Sequence, residues 1–190
     1  MIPGRPLLLA SRSPQRRAIL EQLGFAFTVI ESGYVERALP GVSPAQAAVE
    51  HALGKVAGAG DGDLVLGVDT VVDVDGSLLG KPAGDAEAAS MLRLLSGRTH
   101  LVHSGICLRV SGVSHTRLAS TEVTFRPLLD DDIAWYVATG EWRGRAGGYA
   151  VQGKGAALVV SISGDYTNVV GLPVAALLDL LSETEQAVRC

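Results

Sequence analysis

Asp69 and Glu36, with Lys55, Lys81 and Arg16, are residue types that together do chemistry on a phosphoanhydride. One or two carboxylates suffice to hold a Mg²⁺ or Mn²⁺ that keeps most of its waters and bridges to phosphate oxygens. A carboxylate within hydrogen-bonding reach also takes the proton of an attacking water. Two lysines and an arginine offset the charge of a polyphosphate leaving group. Phosphoryl chemistry by position and charge needs no side-chain nucleophile, and no Gly-x-Ser-x-Gly elbow occurs.

These residues need elements to carry them, and the opening stretch supplies the first. Leu7 to Ala10 reads as a strand buried on both faces, Ser13 as an N-cap and Pro14 as the first helical residue. The helix runs on through Ile19, Leu20 and Leu23 to Gly24. Arg16 and Arg17 in its first turn oppose the helix dipole. A bound phosphate would explain them; solvated surface arginines are the plainer alternative.

The same cap-then-proline pattern at Ser43-Pro44 opens an alanine-rich helix to about Ala57, with Val49, Leu53 and Val56 as its apolar stripe and Lys55 near its end. A surface lysine complementing the dipole is the ordinary reading of that position. Leu64 to Val68 is a buried strand delivering Asp69-Thr70 at or near its end, and Val71 to Val74 continues extended into an Asp75-Gly76 hairpin turn. Asp85 is expected to cap a helix to Leu95. Two long strands, Thr99 to Val110 and Val113 to Arg126, join at Ser111-Gly112. After the Asp130 helix come a glycine- and arginine-rich loop, Gly140 to Gly148, and a strand from Ala157 to Ile162. An Asp165 to Leu172 loop leads into a last helix from Pro173. Helices alternating with strands early and a long hairpin in the middle give an α/β or mixed α+β fold with a mixed sheet, read as one domain over residues 1–190.

Composition narrows the classes. With 47% hydrophobic and 19% charged residues the 190-residue chain is globular, and its net charge of −4 disfavours a nucleic-acid-coating surface. Two cysteines, Cys107 and Cys190, make no disulfide framework and suit a reducing cytosol. No leader or long apolar span is read, so a soluble, cytoplasmic protein without membrane partners is expected.

Several motifs fail on detail. Gly76 to Lys81 is one residue short of a P-loop, and Pro82 replaces its hydroxyl residue. His100 and His103 lie on opposite faces of a strand and share no zinc. Asp73 and Asp75, after an apolar strand, resemble the nucleophile motif of haloacid-dehalogenase-type phosphatases, with a hairpin turn as the alternative.

Five motifs in order resemble the Maf family of nucleoside triphosphate pyrophosphatases, once described as septum-formation inhibitors. They are Leu9-Ala10-Ser11-x-Ser13-Pro14-x-Arg16-Arg17, Gly67-x-Asp69-Thr70-Val71-Val72, Gly80-Lys81-Pro82, Ala146-Gly147-Gly148-Tyr149 and Asn168-Val169-Val170-Gly171-Leu172-Pro173. The resemblance implies cleavage of a nucleoside triphosphate between the α- and β-phosphorus, a divalent cation, a homodimer, and an inosine triphosphatase-like fold. That fold has an elongated twisted mixed sheet flanked by helices and two lobes about a central cleft. It also implies Asp69 as the catalytic proton acceptor, Glu36 and Asp69 at the metal, and Ser11, Arg16, Lys55 and Lys81 at the phosphates. Gln15, Thr70 and Gln152 match positions linked to base choice. Thr70 and Gln152 agree with the dTTP/UTP-cleaving branch, whereas Gln15 stands where that branch usually has arginine. Val35 replaces an acidic residue often found before Glu36. A pyrimidine triphosphate is the expected substrate; the alternative is a nucleotide-sensing regulator of septum formation with little catalysis.

Overall fold

The computed structural model describes residues 6–189, with side chains through 184. Its axis is β3 (Leu64–Val74), in which the apolar run continues straight through Asp69-Thr70. The strand does not stop at those residues; it carries them at its middle. Around it lie β1 (Leu7–Leu9), β2 (Phe27–Val29), β4 (Ser77–Leu79), β5 (Thr99–Val110), β6 (Val113–Phe125) and β7 (Val159–Ser163), a seven-stranded mixed sheet ordered β2-β1-β3-β5-β6-β7 with β4 on β3. β1 runs parallel to β2 and β3, and the remaining pairs are antiparallel. Both hairpins follow the sequence. Asp75-Gly76 and Ser111-Gly112 turn with positive φ at all four residues, as two-residue turns between twisted strands require.

The two partners on one edge of β3 do not meet. β1 pairs with Val65 and Leu66, β4 with Val72 to Val74. Gly67 to Val71 are left with no strand on that edge. The opposite edge is continuous, paired to β5 from Leu64 to Asp73.

The core is divided at the same level. One cluster gathers Leu7, Leu9, Leu20, Leu66, Val68, Ile106 and Leu172. A second gathers Val72, Val74, Leu92, Val102, Phe125, Tyr136 and Leu158. On β3 the break falls between Val68 and Val72, and on β5 between their register partners Ile106 and Val102. Thr70 and Ser104 fill the break, hydroxyl to hydroxyl at 2.8 Å. Two apolar lobes therefore share one sheet, with a polar seam and an open strand edge between them.

Among the described residues six α-helices flank the sheet: α1 (Pro14–Gln22), α2 (Pro44–Ala57), α3 (Asp85–Leu95), α4 (Asp130–Ala138), α5 (Tyr166–Val170) and α6 (Val174–Arg189). Asp85 opens α3 but does not cap it; Gly84 holds that position. The expected Asp165 to Leu172 loop contains α5, begun by the Asp165 carboxylate accepting from the Thr167 and Asn168 amides.

α2 starts where the sequence says, with a full capping box between Ser43 and Gln46. Its inward face is different from the expected stripe. Leu53 is exposed, and the helix buries Ala47, Ala48, His51, Ala52, Lys55 and Val56. The reason lies in the sheet. A Cβ on Gly67 would stand 2.5 Å from the Ala52 carbonyl oxygen, and one on Gly105 would collide with the Ala48–Val49 backbone. Glycine below and alanine above let the helix lie directly on β3 and β5, with no room for the larger stripe.

Two consequences are measurable. Gly105→Ala forces helix and sheet apart and should cost about 1–3 kcal/mol, seen as a fall of several degrees in Tm; an unchanged Tm would contradict the close packing. His100 is buried beside Tyr149 and Phe125, its Nε2 2.8 Å from the Tyr149 hydroxyl, and burial pushes its pKa down to about 4. Protons therefore favour the unfolded chain, whose histidine titrates near 6.5. Stability should be full above pH ~6.5 and fall by about 3 kcal/mol as pH drops to ~4. His100→Gln should flatten that slope in urea titrations between these values.

Candidate active site

The turn from β1 into α1 is built as the sequence indicates, with one change. Ser13 holds the N-cap position and Pro14 the first helical one, but the Ser13 hydroxyl donates to Gln15 Oε1 at 3.1 Å and caps nothing. Arg16 is buried, and its three bonds tie the cleft together. Its Nε donates to the Gly171 carbonyl (2.9 Å), Nη1 to Ser11 Oγ (2.8 Å) and Nη2 to Thr70 Oγ1 (3.1 Å). Burial pulls its pKa down, the charges of Asp69 and Glu36 pull it back, and a guanidinium so placed stays cationic. Arg17 is exposed and points to no shared function.

Period-two alternation sends Asp69 and Thr70 to opposite faces of β3. Thr70 meets Arg16 and Ser104, whereas Asp69 meets α2. There Lys55, far from being a surface lysine, is buried with its ammonium 2.6 Å from Asp69 Oδ1, 2.7 Å from Glu36 Oε1 and 3.2 Å from the Val68 carbonyl. That carbonyl belongs to the stretch of β3 without a strand on its edge. Burial alone would raise the Glu36 pKa, but the Lys55 hydrogen bond and charge, with Lys81 and His51 behind them, hold it below the usual carboxylate value.

Glu36 sits on a loop whose placement the sequence did not reveal. The Tyr34 ring lies directly against Gly54 of α2, in the space a Cβ would take, and its hydroxyl meets His51 Nδ1 at 2.9 Å. This fastens the loop to α2 one residue before Lys55. The aromatic residue facing a helical glycine was the available signal.

All nine residues singled out from the sequence line one cavity of about 910 Å³: Ser11, Gln15, Arg16, Glu36, Lys55, Asp69, Thr70, Lys81 and Gln152. Tyr34, His51, Arg12, Arg143 and Arg145 join them. The arginines come partly from the glycine-rich loop, whose composition was the clue. Among the described residues six lysines and arginines face three carboxylates there, on a chain of net charge −4. Among the described residues Lys81 makes no ion pair, and Asp85 is approached by Arg143 at 3.8 Å. The phosphatase-like alternative fails here. Asp73 accepts the Gly76 amide at 2.7 Å within the hairpin turn and lies outside the cavity lining.

A divalent cation suits the donor set. Glu36 and Asp69 offer hard carboxylate oxygens a few ångströms from one ammonium. Among the described residues no group of three or more His, Cys, Asp or Glu could cage an ion alone. A cation that completes its shell with water and phosphate needs no such cage.

A family model described as Maf-like protein matches residues 6–184. The chain belongs to the Maf family. Its curated relatives include the dTTP/UTP pyrophosphatase of Thermus thermophilus, 45% identical over 93% of each chain. That of Gloeobacter violaceus is 45% identical over 96% of this chain and 97% of its own. That of Bacillus velezensis is 43% identical over 93% and 95%. Among solved structures, a HAM1 protein from Coxiella burnetii is similar over 66% of this chain and 73% of its own, at 18% identity and a TM-score of 0.44. No helix among the described residues of this Maf protein is long and apolar enough to cross a membrane.

Removing the Lys55 ammonium strands two carboxylates beside each other. Lys55→Met should therefore lose about 3–5 kcal/mol at pH 7, and adding Asp69→Asn should recover part of it. Urea unfolding of the single and double variants checks this; purely additive losses would mean that the pair is not coupled.

Proposed function

We propose that this Maf family member hydrolyses a pyrimidine nucleoside triphosphate, dTTP or UTP, to the monophosphate and pyrophosphate. One observation carries the reading. A single cationic cavity holds a carboxylate placed to take a proton and enough lysines and arginines for a triphosphate tail. The relatives at 43–46% identity, each bearing that activity in its name, supply the pyrimidine preference.

Asp69 accepts the proton of the attacking water. Its Oδ1 is held by Lys55, which fixes the carboxylate, while Oδ2 has no protein hydrogen-bond partner among the described residues. The water attacks the α-phosphorus in line, and pyrophosphate leaves. Lys55, Lys81 and Arg16, with Ser11, bind the phosphates. Arg16 orients Thr70 as well, so the group beside the phosphates also sets a residue assigned to the base, with Gln15 and Gln152 completing that wall.

Glu36 and Asp69 are the residues that would hold Mg²⁺ or Mn²⁺. Bound there, the ion would neutralise phosphate charge. A cytoplasmic setting belongs to the same proposal, supported by Cys107, which is buried with a free thiol. Homodimeric assembly is proposed on the family resemblance. A nucleotide sensor is the weaker reading, because binding alone needs no water-activating carboxylate beside the phosphates.

Pyrophosphate release from a panel of canonical triphosphates tests the proposal, with dTTP and UTP expected to lead. Asp69→Asn should still bind nucleotide and lose about 10²–10⁴ in kcat; undiminished turnover would remove Asp69 from the chemistry.

A further inference from the structure

Arg145 is the half-buried cation of the cavity wall that the protein leaves without an anion. Among the described residues its guanidinium makes no ion pair and no hydrogen bond, and its Nε is closed off from solvent with no partner. The other cations differ. Arg12 reaches Glu31 at 3.5 Å, Lys55 holds two carboxylates, Arg16 has its three bonds, and Arg143 stacks on Trp142 at 4.7 Å near Asp85. Lys81 is unpaired among the described residues too, but exposed, and water solvates an exposed ammonium. Desolvation pulls the Arg145 pKa down, against the pull of Tyr136 and Glu141. A guanidinium taken partly out of water without a counter-charge is costly unless something else supplies one.

Its backbone is held firmly. The Arg145 amide donates to the Trp142 carbonyl (3.1 Å), and its own carbonyl accepts from Gly148 (3.1 Å). The Gly147 amide donates to the Gly80 carbonyl at 3.0 Å. Gly147 has φ +67°, and a Cβ there would sit 2.9 Å from Val72, so glycine is needed for this approach. The loop is thereby fastened beside Lys81.

We propose that Arg145 binds the β- and γ-phosphates, the departing pyrophosphate, together with Lys81. This rests on the triphosphate reading of the cavity. Lys55 is already neutralised by Glu36 and Asp69 at the reacting end, and Arg16 is largely occupied by Ser11, Thr70 and Gly171. The most highly charged part of the ligand is left to the cations that no protein group satisfies. As the bond to the α-phosphorus breaks, negative charge grows on the pyrophosphate, and a planar fork of N–H donors is suited to two of its oxygens at once.

Calorimetric titration of wild type, Arg145→Gln and Arg145→Lys with α,β-imido-UTP, inorganic pyrophosphate and UMP tests this. Arg145→Gln should weaken the imido analogue and pyrophosphate by about tenfold or more and leave UMP unchanged. Arg145→Lys, which keeps charge but not the fork, should fall between; it decides the matter if the glutamine variant does not fold. Unchanged binding of the analogue, or equal weakening of UMP, would overturn the assignment. Wild type that binds neither analogue nor pyrophosphate would overturn the triphosphate reading itself.

Discussion

A buried ammonium shared by two carboxylates is the interaction on which this site depends. Lys55 is in place because α2 lies flat on the sheet, and α2 can lie flat because Gly67 and Gly105 present no side chains to it. An isolated charge at that depth would be expelled or neutralised. Three opposite charges in contact stabilise one another and fix the Asp69 carboxylate against α2. The loop bearing Glu36 is drawn into this arrangement through Tyr34, which rests on Gly54 one residue before Lys55. Helix packing, strand position and loop placement thus all converge on one Nζ atom.

The second constraint is the interrupted edge of β3. Where β1 ends and β4 has not begun, five residues lack a strand neighbour on that edge while staying paired to β5 on the other. The Val68 carbonyl accepts from Lys55. At the same level the core itself is interrupted by Thr70 and Ser104. A fully apolar strand with continuous pairing would be more stable and would have no cleft. Arg16 spans the seam, reaching from α1 to Thr70 and to the Gly171 carbonyl, so the opening is bridged without being filled.

Charge is distributed against the average. The chain is acidic as a whole, yet its cavity is lined by twice as many cationic as anionic side chains. Such focusing draws a polyanion to one concave surface while leaving the rest of the molecule unattractive to nucleic acid. The arginines of the Gly140 to Gly148 loop are much of that excess. They come from the far lobe, so a triphosphate seated among them is held from both sides of the cleft.

Much of this was legible before any coordinates. Ser11, Arg16, Asp69 and Lys81 fall in ordered motifs, and local signals such as Ser13-Pro14, Ser43-Pro44, Asp75-Gly76 and Ser111-Gly112 mark helix starts and turns, because capping and positive φ are properties of a few adjacent residues. The buried face of α2 was not legible, since it depends on two glycines in strands far along the chain, and a stripe containing Leu53 looked equally good in isolation. Tyr34, His51 and Arg145 escaped for the same reason: what each one does is set by what it does or does not touch. The sequence by itself determined most of the helix starts and hairpin turns and which residue types are available for phosphate chemistry. Tertiary structure alone decided which of those charges are neutralised by the protein and which remain for a ligand, because desolvation and pairing act across space and leave no mark on local spacing.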